Sequence, residues 1–170
     1  MGVRLLPRSL PELYAHALVM EHDAAKRFEV LARCMREAGM DHLAEEFEAI
    51  GKEEREQYEL LAVGTAGRDL PQITPWEYAW HYMGPEADQV PLPTTTRDVL
   101  RLALSAERRT MNFYADVAEH VEDDAVSAFA AEMATDENRH VERLERLLAR
   151  EPDPAASADE SLDQDNLPVR

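Results

Sequence analysis

The chain has 170 residues, 45% of them apolar and 31% charged, with a formal net charge of −17, a balance that suits one soluble domain with room for a sizeable core. No run approaches the ~18 unbroken apolar residues of a membrane span, and the surplus of acid would repel nucleic acid and anionic lipid surfaces, so neither is expected as a partner. The single cysteine, Cys34, excludes an internal disulfide, a cysteine-rich zinc site and a four-thiolate iron centre; it reads as a small, partly buried, inert helix residue.

The N-terminal stretch MGVRLLPRSLPELYAHALVMEHD meets charge too soon to be a signal peptide, and a cytoplasmic protein is expected. A first helix is predicted from about Ser9 to Met40. Ser9 and Glu12 have capping-box spacing, Pro11 sits in the first turn and Gly39 marks the exit. A second helix starts near Asp41 and fades after Leu61, with Gly51 as a weak point inside it. Residues 63–95 are rich in Gly and Pro and carry Trp76, Tyr78, Trp80 and Tyr82. So long a connection suits a crossover between two helical hairpins, its aromatics packing a short helical piece onto the bundle. A third helix begins in Thr94-Thr95-Thr96, with Asp98 in its first turn, and ends near Val121. A fourth runs from Asp123 or Asp124 to near Arg150, before Pro152. Residues 151–170 are polar, acidic and Pro-containing and are expected to be disordered. The expected fold is all-α: an up-down four-helix bundle over residues 1–150 with a long crossover between helices 2 and 3.

Each helix can be followed along the alternating 4,3 spacing of a bundle seam. The first seam reads Tyr14, Leu18, Glu21, Ala25, Phe28, Ala32, Met35; the second, Leu43, Phe47, Ile50, Glu54, Gln57, Leu61. The third reads Leu100, Leu104, Glu107, Met111, Tyr114, Ala118, Val121; the fourth, Val126, Ala130, Met133, Glu137, His140, Leu144, Leu147. All four are apolar except near the middle, where each carries a glutamate. An isolated buried carboxylate is costly enough to protonate or find a partner, and no Lys or Arg lies on any seam. Four ionised glutamates are balanced by two divalent cations, so the pattern asks for a dinuclear metal site. Glu137 and His140 stand three apart on one helix face and can reach one metal together. Carboxylate oxygen with imidazole nitrogen suits iron, manganese or zinc. The two hairpins also look like copies of one unit: Phe28 and Tyr114 each follow a seam glutamate by two turns. Tyr14 and Tyr114 read as core residues, with Tyr114 within reach of a ligand carboxylate. His16, His22, His42 and His120 lie beside the seams and read as solvated, and in Glu53-Glu54-Arg55-Glu56 only Glu54 points inward. His81, in the crossover, has no assignable role.

This pattern resembles the ferritin-like superfamily, and within it the rubrerythrin-like branch, over roughly residues 9–150. The matching residues are Glu21 in ALVMEHDAAKRF, Glu54 in KEEREQYELL, Glu107 in ALSAERRTMNFY, and Glu137 with His140 in TDENRHVERL. A glutamate from each of two helices plus Glu-x-x-His from the others is the family's ligand signature. The resemblance implies two iron ions, with manganese or zinc as substitutes, held by Glu21, Glu54, Glu107, Glu137 and His140. Gln57 stands where the family places a second histidine, so it is either a weak amide-oxygen ligand or a hydrogen bonder to one. The implied function is an oxidoreductase acting on peroxide or dioxygen. The alternatives are a ferroxidase oxidising Fe(II), or a non-catalytic metal-binding module with one decayed half-site. Thr110, three residues after Glu107, takes the place of an extra glutamate usual in rubrerythrins, which argues against that family's redox-linked ligand switch. A rubredoxin-like domain does not occur in this sequence, so electrons are expected from a separate donor protein, and a homodimer is the expected assembly.

Overall fold

Ser9 opens the first helix as its spacing predicts. Its hydroxyl accepts the Glu12 N–H at 3.4 Å, while the Glu12 carboxylate turns back to the Arg8 N–H at 2.8 Å. The computed structural model describes residues 6–74 and 95–152. Among these are four α-helices: α1 (Leu10–Glu37), α2 (Asp41–Gly64), α3 (Thr96–His120) and α4 (Asp124–Arg150). Gly39, at φ +75°, lets the chain leave α1 in the left-handed conformation and turn directly into α2. Thr95 and Asp98 close a reciprocal capping box on α3, and Asp123 caps α4 through the Ala125 and Val126 N–H groups. The second helix runs one turn beyond its expected fade at Leu61. Among the described residues no helix is long and apolar enough to cross a membrane.

The backbones of α1 and α2 approach closely along their length, as do those of α3 and α4, whereas close approach between the two hairpins is sparse. Gly51 is one cause of the tight first hairpin: a Cβ there would stand 3.0 Å from the Phe28 Cβ. The space between hairpins is filled by side chains, and these divide into two apolar layers. One contains Phe28, Phe47, Ile50, Leu100 and Leu144; the other contains Leu13, Met20, Tyr114, Val126 and Met133. The first layer draws on the end of α1, the start of α2, the start of α3 and the end of α4. Thus α2 and α3 point the same way, and their connection must return along the bundle, a distance of about 36 Å for a helix of this length. The four seam glutamates fall between the two layers. The crossover aromatics with His81, and the tail from residue 153 onward, lie outside the described residues.

Candidate metal centre

Glu54, Glu107, Glu137 and His140 each turn one potential ligand atom into a common space, and those atoms all lie within 4.8 Å of one another. Helix periodicity explains the meeting: each residue sits mid-helix on the face that its apolar neighbours bury, so the packing that forms the two layers also carries the acids inward. Glu54 and Glu107 are 1% and 0% exposed, and Glu137 is 2% exposed. His140 Nδ1 lies 2.7 Å from Glu54 Oε1 and 3.7 Å from Glu107 Oε2. Close as the first approach is, it lacks hydrogen-bond geometry. Glu21 Oε2, Glu54 Oε1, Glu107 Oε2, Glu137 Oε2 and His140 Nδ1 are all buried without a hydrogen-bond partner. Native interiors rarely leave such atoms unpaired, and these five are of metal-ligand types; Arg97 Nε is also buried without a partner.

Glu21 is buried beside the group of four. Its Oε1 accepts the Tyr114 hydroxyl at 2.8 Å, the contact expected of that tyrosine. Gln57 is half-buried and lines the same cavity, of about 290 Å³, as Glu21, Glu54, Glu137 and His140. Its amide donates to Asp136 Oδ2 at 3.0 Å and approaches Met133 Sδ at 3.4 Å. It therefore lies outside the group of four, tied to α4 through its nitrogen. Thr110 bonds back to the Ala106 carbonyl at 3.3 Å.

The electrostatics follow from crowding acids in a dry space. Burial raises Glu54 well above the ordinary carboxyl range, reinforced by the Glu107 and Glu21 charges. Burial does the same to Glu137, with Glu54, Glu21 and Glu107 adding to it. Glu21 is also raised by burial, an effect that its neighbours Glu54 and Tyr114 oppose. Burial alone would lower His140, but Glu107, Glu137 and Glu53 outweigh it and raise it to about 9.

Several placements differ from the sequence reading. Glu53 lies on the solvated face expected of it, yet its Oε2 stands 3.0 Å from His140 Nε2, a contact the sequence did not suggest. A basic side chain does reach the acids, for Arg27, one residue off the first seam, places Nη1 3.4 Å from Glu107 Oε1. Both residues immediately precede an inward residue, and a long side chain at such a flank can bend round the helix edge; that adjacency was the available signal. His16 is buried, not solvated, because its ring packs 5.5 Å from that of Phe113. Cys34 is exposed, since it lies on the outer face of α1 near its end. His42 and His120 are exposed as expected, and His22 is partly so.

Comparisons with known proteins bear on this arrangement. The family model for rubrerythrin matches residues 12–148. Among solved structures, an uncharacterized conserved protein from Magnetospirillum magnetotacticum MS-1 is similar, with 27% sequence identity and a TM-score of 0.75. The match covers 86% of this chain and 97% of that one. No curated protein matches the chain.

Proposed function

Since the chain belongs to the rubrerythrin family, we propose that the buried acids form a di-iron carboxylate site of an oxidoreductase that acts on peroxide or dioxygen. The observation that carries this reading is the set of buried, unpartnered ligand atoms on Glu21, Glu54, Glu107, Glu137 and His140. Their donor chemistry fits iron, with manganese and zinc as possible occupants, because hard carboxylate oxygens combine with one imidazole and no thiolate. Glu107 and His140 would serve one ion and Glu21 the other. Glu54 and Glu137, whose ligand atoms lie with those of Glu107 and His140, would complete the set. Bound iron would supply one-electron redox chemistry towards a small oxidant. The chain contributes a dry pocket, a tyrosine that orients Glu21, and a cavity large enough for peroxide. The reading calls for a separate electron-donor protein, and we place the reaction in the cytoplasm.

Ferroxidase action is the second reading, with Fe(II) as substrate. It is favoured by Glu53, Glu56 and Asp136, which line the cavity together with Glu21, Glu54, Glu137 and His140 and would attract a cation. Metal analysis of protein purified without added metal tests the site, and two irons per chain are expected. Consumption of peroxide in the presence of a reductant, faster than oxidation of added Fe(II), supports the peroxidase reading, and the reverse supports the ferroxidase. Zero or one metal per chain after anaerobic reconstitution would defeat both.

A further inference from the structure

His140 offers two nitrogens, and the structure gives them different surroundings. Nδ1 faces the buried carboxylates, 2.7 Å from Glu54 Oε1. Nε2 faces outward, 3.0 Å from Glu53 Oε2. Glu53 is itself held: its Oε1 accepts Arg143 Nη1 at 3.3 Å, and Arg143 Nε donates to Glu46 Oε2 at 2.6 Å. The four residues form a chain along the rim of the bundle, running His140–Glu53–Arg143–Glu46 and crossing from α4 to α2 and back. Helix spacing builds it, since Glu46 and Glu53 lie two turns apart on α2 and His140 and Arg143 lie one turn apart on α4.

An exposed ion pair of this kind, with Glu53 at 52% exposure and Arg143 at 28%, contributes little to stability by itself. What sets it apart is that one end is a buried imidazole. A neutral imidazole carries its proton on one nitrogen only. Both nitrogens stand against carboxylate oxygens, so the choice arises when a cation enters the cluster: with the proton on Nε2, Glu53 is satisfied and the Nδ1 lone pair is free to face the cation. With the proton on Nδ1, the Nε2 lone pair would face a carboxylate oxygen and repel it, and the inward nitrogen could not bind a cation.

We propose that Glu53, braced by Arg143, is a positioning residue that fixes the ring and tautomer of His140 so that Nδ1 is presented as the metal ligand. The proposal rests on the metal-site reading above. Carboxylates that orient a ligating histidine in this way typically change metal affinity about 10- to 100-fold.

Co(II) added to the full-length chain is the probe, followed by its visible absorption and by titration calorimetry. Glu53→Ala should weaken the first Co(II) step by about tenfold or more, with helix content unchanged. Glu53→Gln, whose amide oxygen can still accept Nε2–H, should recover part of that loss. Arg143→Gln should give a smaller loss, and the double variant Glu53→Ala/Arg143→Gln should be no weaker than Glu53→Ala, because Arg143 acts through Glu53. In the Zn(II)-loaded protein, the imidazole nitrogen resonances of His140 should show Nε2 protonated and Nδ1 metal-bound, and this pattern should be lost or mixed in Glu53→Ala. Wild-type affinity and an unchanged His140 pattern in Glu53→Ala would overturn the positioning role alone. A wild-type chain that binds no Co(II) would overturn the metal-site reading, and the positioning role with it.

Discussion

Replacing Glu137 with glutamine should move stability and metal binding in opposite directions. Glu137 is 2% exposed, its Oε2 has no partner, and Glu54, Glu21 and Glu107 surround it with like charge. At pH 8 the metal-free protein must either ionise this carboxyl in a dry, acidic space or hold a proton that the unfolded chain would release, and both cost free energy. Glutamine keeps the shape, removes the charge and gives neighbouring carboxylates an N–H donor. Exchanging buried charge for a neutral group of similar volume is typically worth about 1–4 kcal/mol. Because the amide must also be accommodated, about 1–3 kcal/mol is expected here, equivalent to a rise of about 3–10 °C in Tm for a chain of this size. The gain should shrink towards pH 5, where the folded wild-type carboxyl holds its proton at little cost. Metal affinity should fall by more than the ~100-fold that outer partners of a ligand can cause. Calorimetric melting of chelator-treated protein at pH 5 and pH 8, with Co(II) titration of both forms, provides the measurement. If metal-free Glu137→Gln melts at or below wild type at pH 8, the side chain is solvated and the argument from crowded acids is wrong.

The pH response of the metal-free wild type has a definite sign. Glu21, Glu54 and Glu137 are raised above 4.5, and His140 is raised from 6.5 to about 9. In each case the folded chain binds more protons than the unfolded one, so stability should fall as pH rises from about 4.5 to about 9; a Tm higher at pH 8 than at pH 5 would contradict this. Gly51→Ala should lower Tm by several degrees despite a helix-propensity gain of about 1 kcal/mol. The new methyl would stand 3.0 Å from the Phe28 Cβ and force the first hairpin apart, a strain of about 1–3 kcal/mol; an unchanged or raised Tm would show that the hairpin yields. Divalent-metal titration of wild type should show two unequal steps. Gln57→His should tighten the weaker one about tenfold, provided the imidazole turns inward from the position where Gln57 now meets Asp136; two equal steps, unaffected by the change, would mean that position 57 is not where a ligand is missing.

The seams made the bundle and the acids legible because both follow from helix periodicity. A glutamate flanked one and two turns away by Leu, Phe or Met has to go where they go, and Glu21, Glu54, Glu107 and Glu137 did. The ends were legible where a cap has a local cause, as at Ser9, Gly39, Thr95 and Asp123. What periodicity does not encode is the reach of a long side chain at the edge of a face. Arg27 and Glu53 each lie about 100° round the helix from a seam residue, which on the helix surface is ambiguous between solvent and neighbour. In both cases a charged group on the facing hairpin decided the matter. His16 failed for a related reason: the buried stripe of α1 is broader than one seam and also takes in Leu13, Ala17, Met20 and Ala24, so a residue beside the seam still lies within the core.

Arg27 also changes the charge argument that first suggested a metal. Counted on the seams alone, four glutamates face no cation at all. In the structure Arg27 stands beside Glu107, and His140, raised to about 9, carries a second positive charge at neutral pH. The raised carboxyls of Glu54 and Glu137 hold protons more readily than ordinary ones. Together these offset part of the negative charge that the four glutamates would otherwise place in the core. A divalent cation entering the cluster must displace those protons, so binding should be proton-coupled. Arg27 is anchored in α1 beside Glu107 and is not displaced as a proton is. It stays against Glu107, on the His140 side of the cluster, and lowers the negative charge available there. The better set of ligand atoms and the fixed cation thus fall on the same side. On the proposed two-metal reading, the histidine would raise the affinity of that side and Arg27 would lower it.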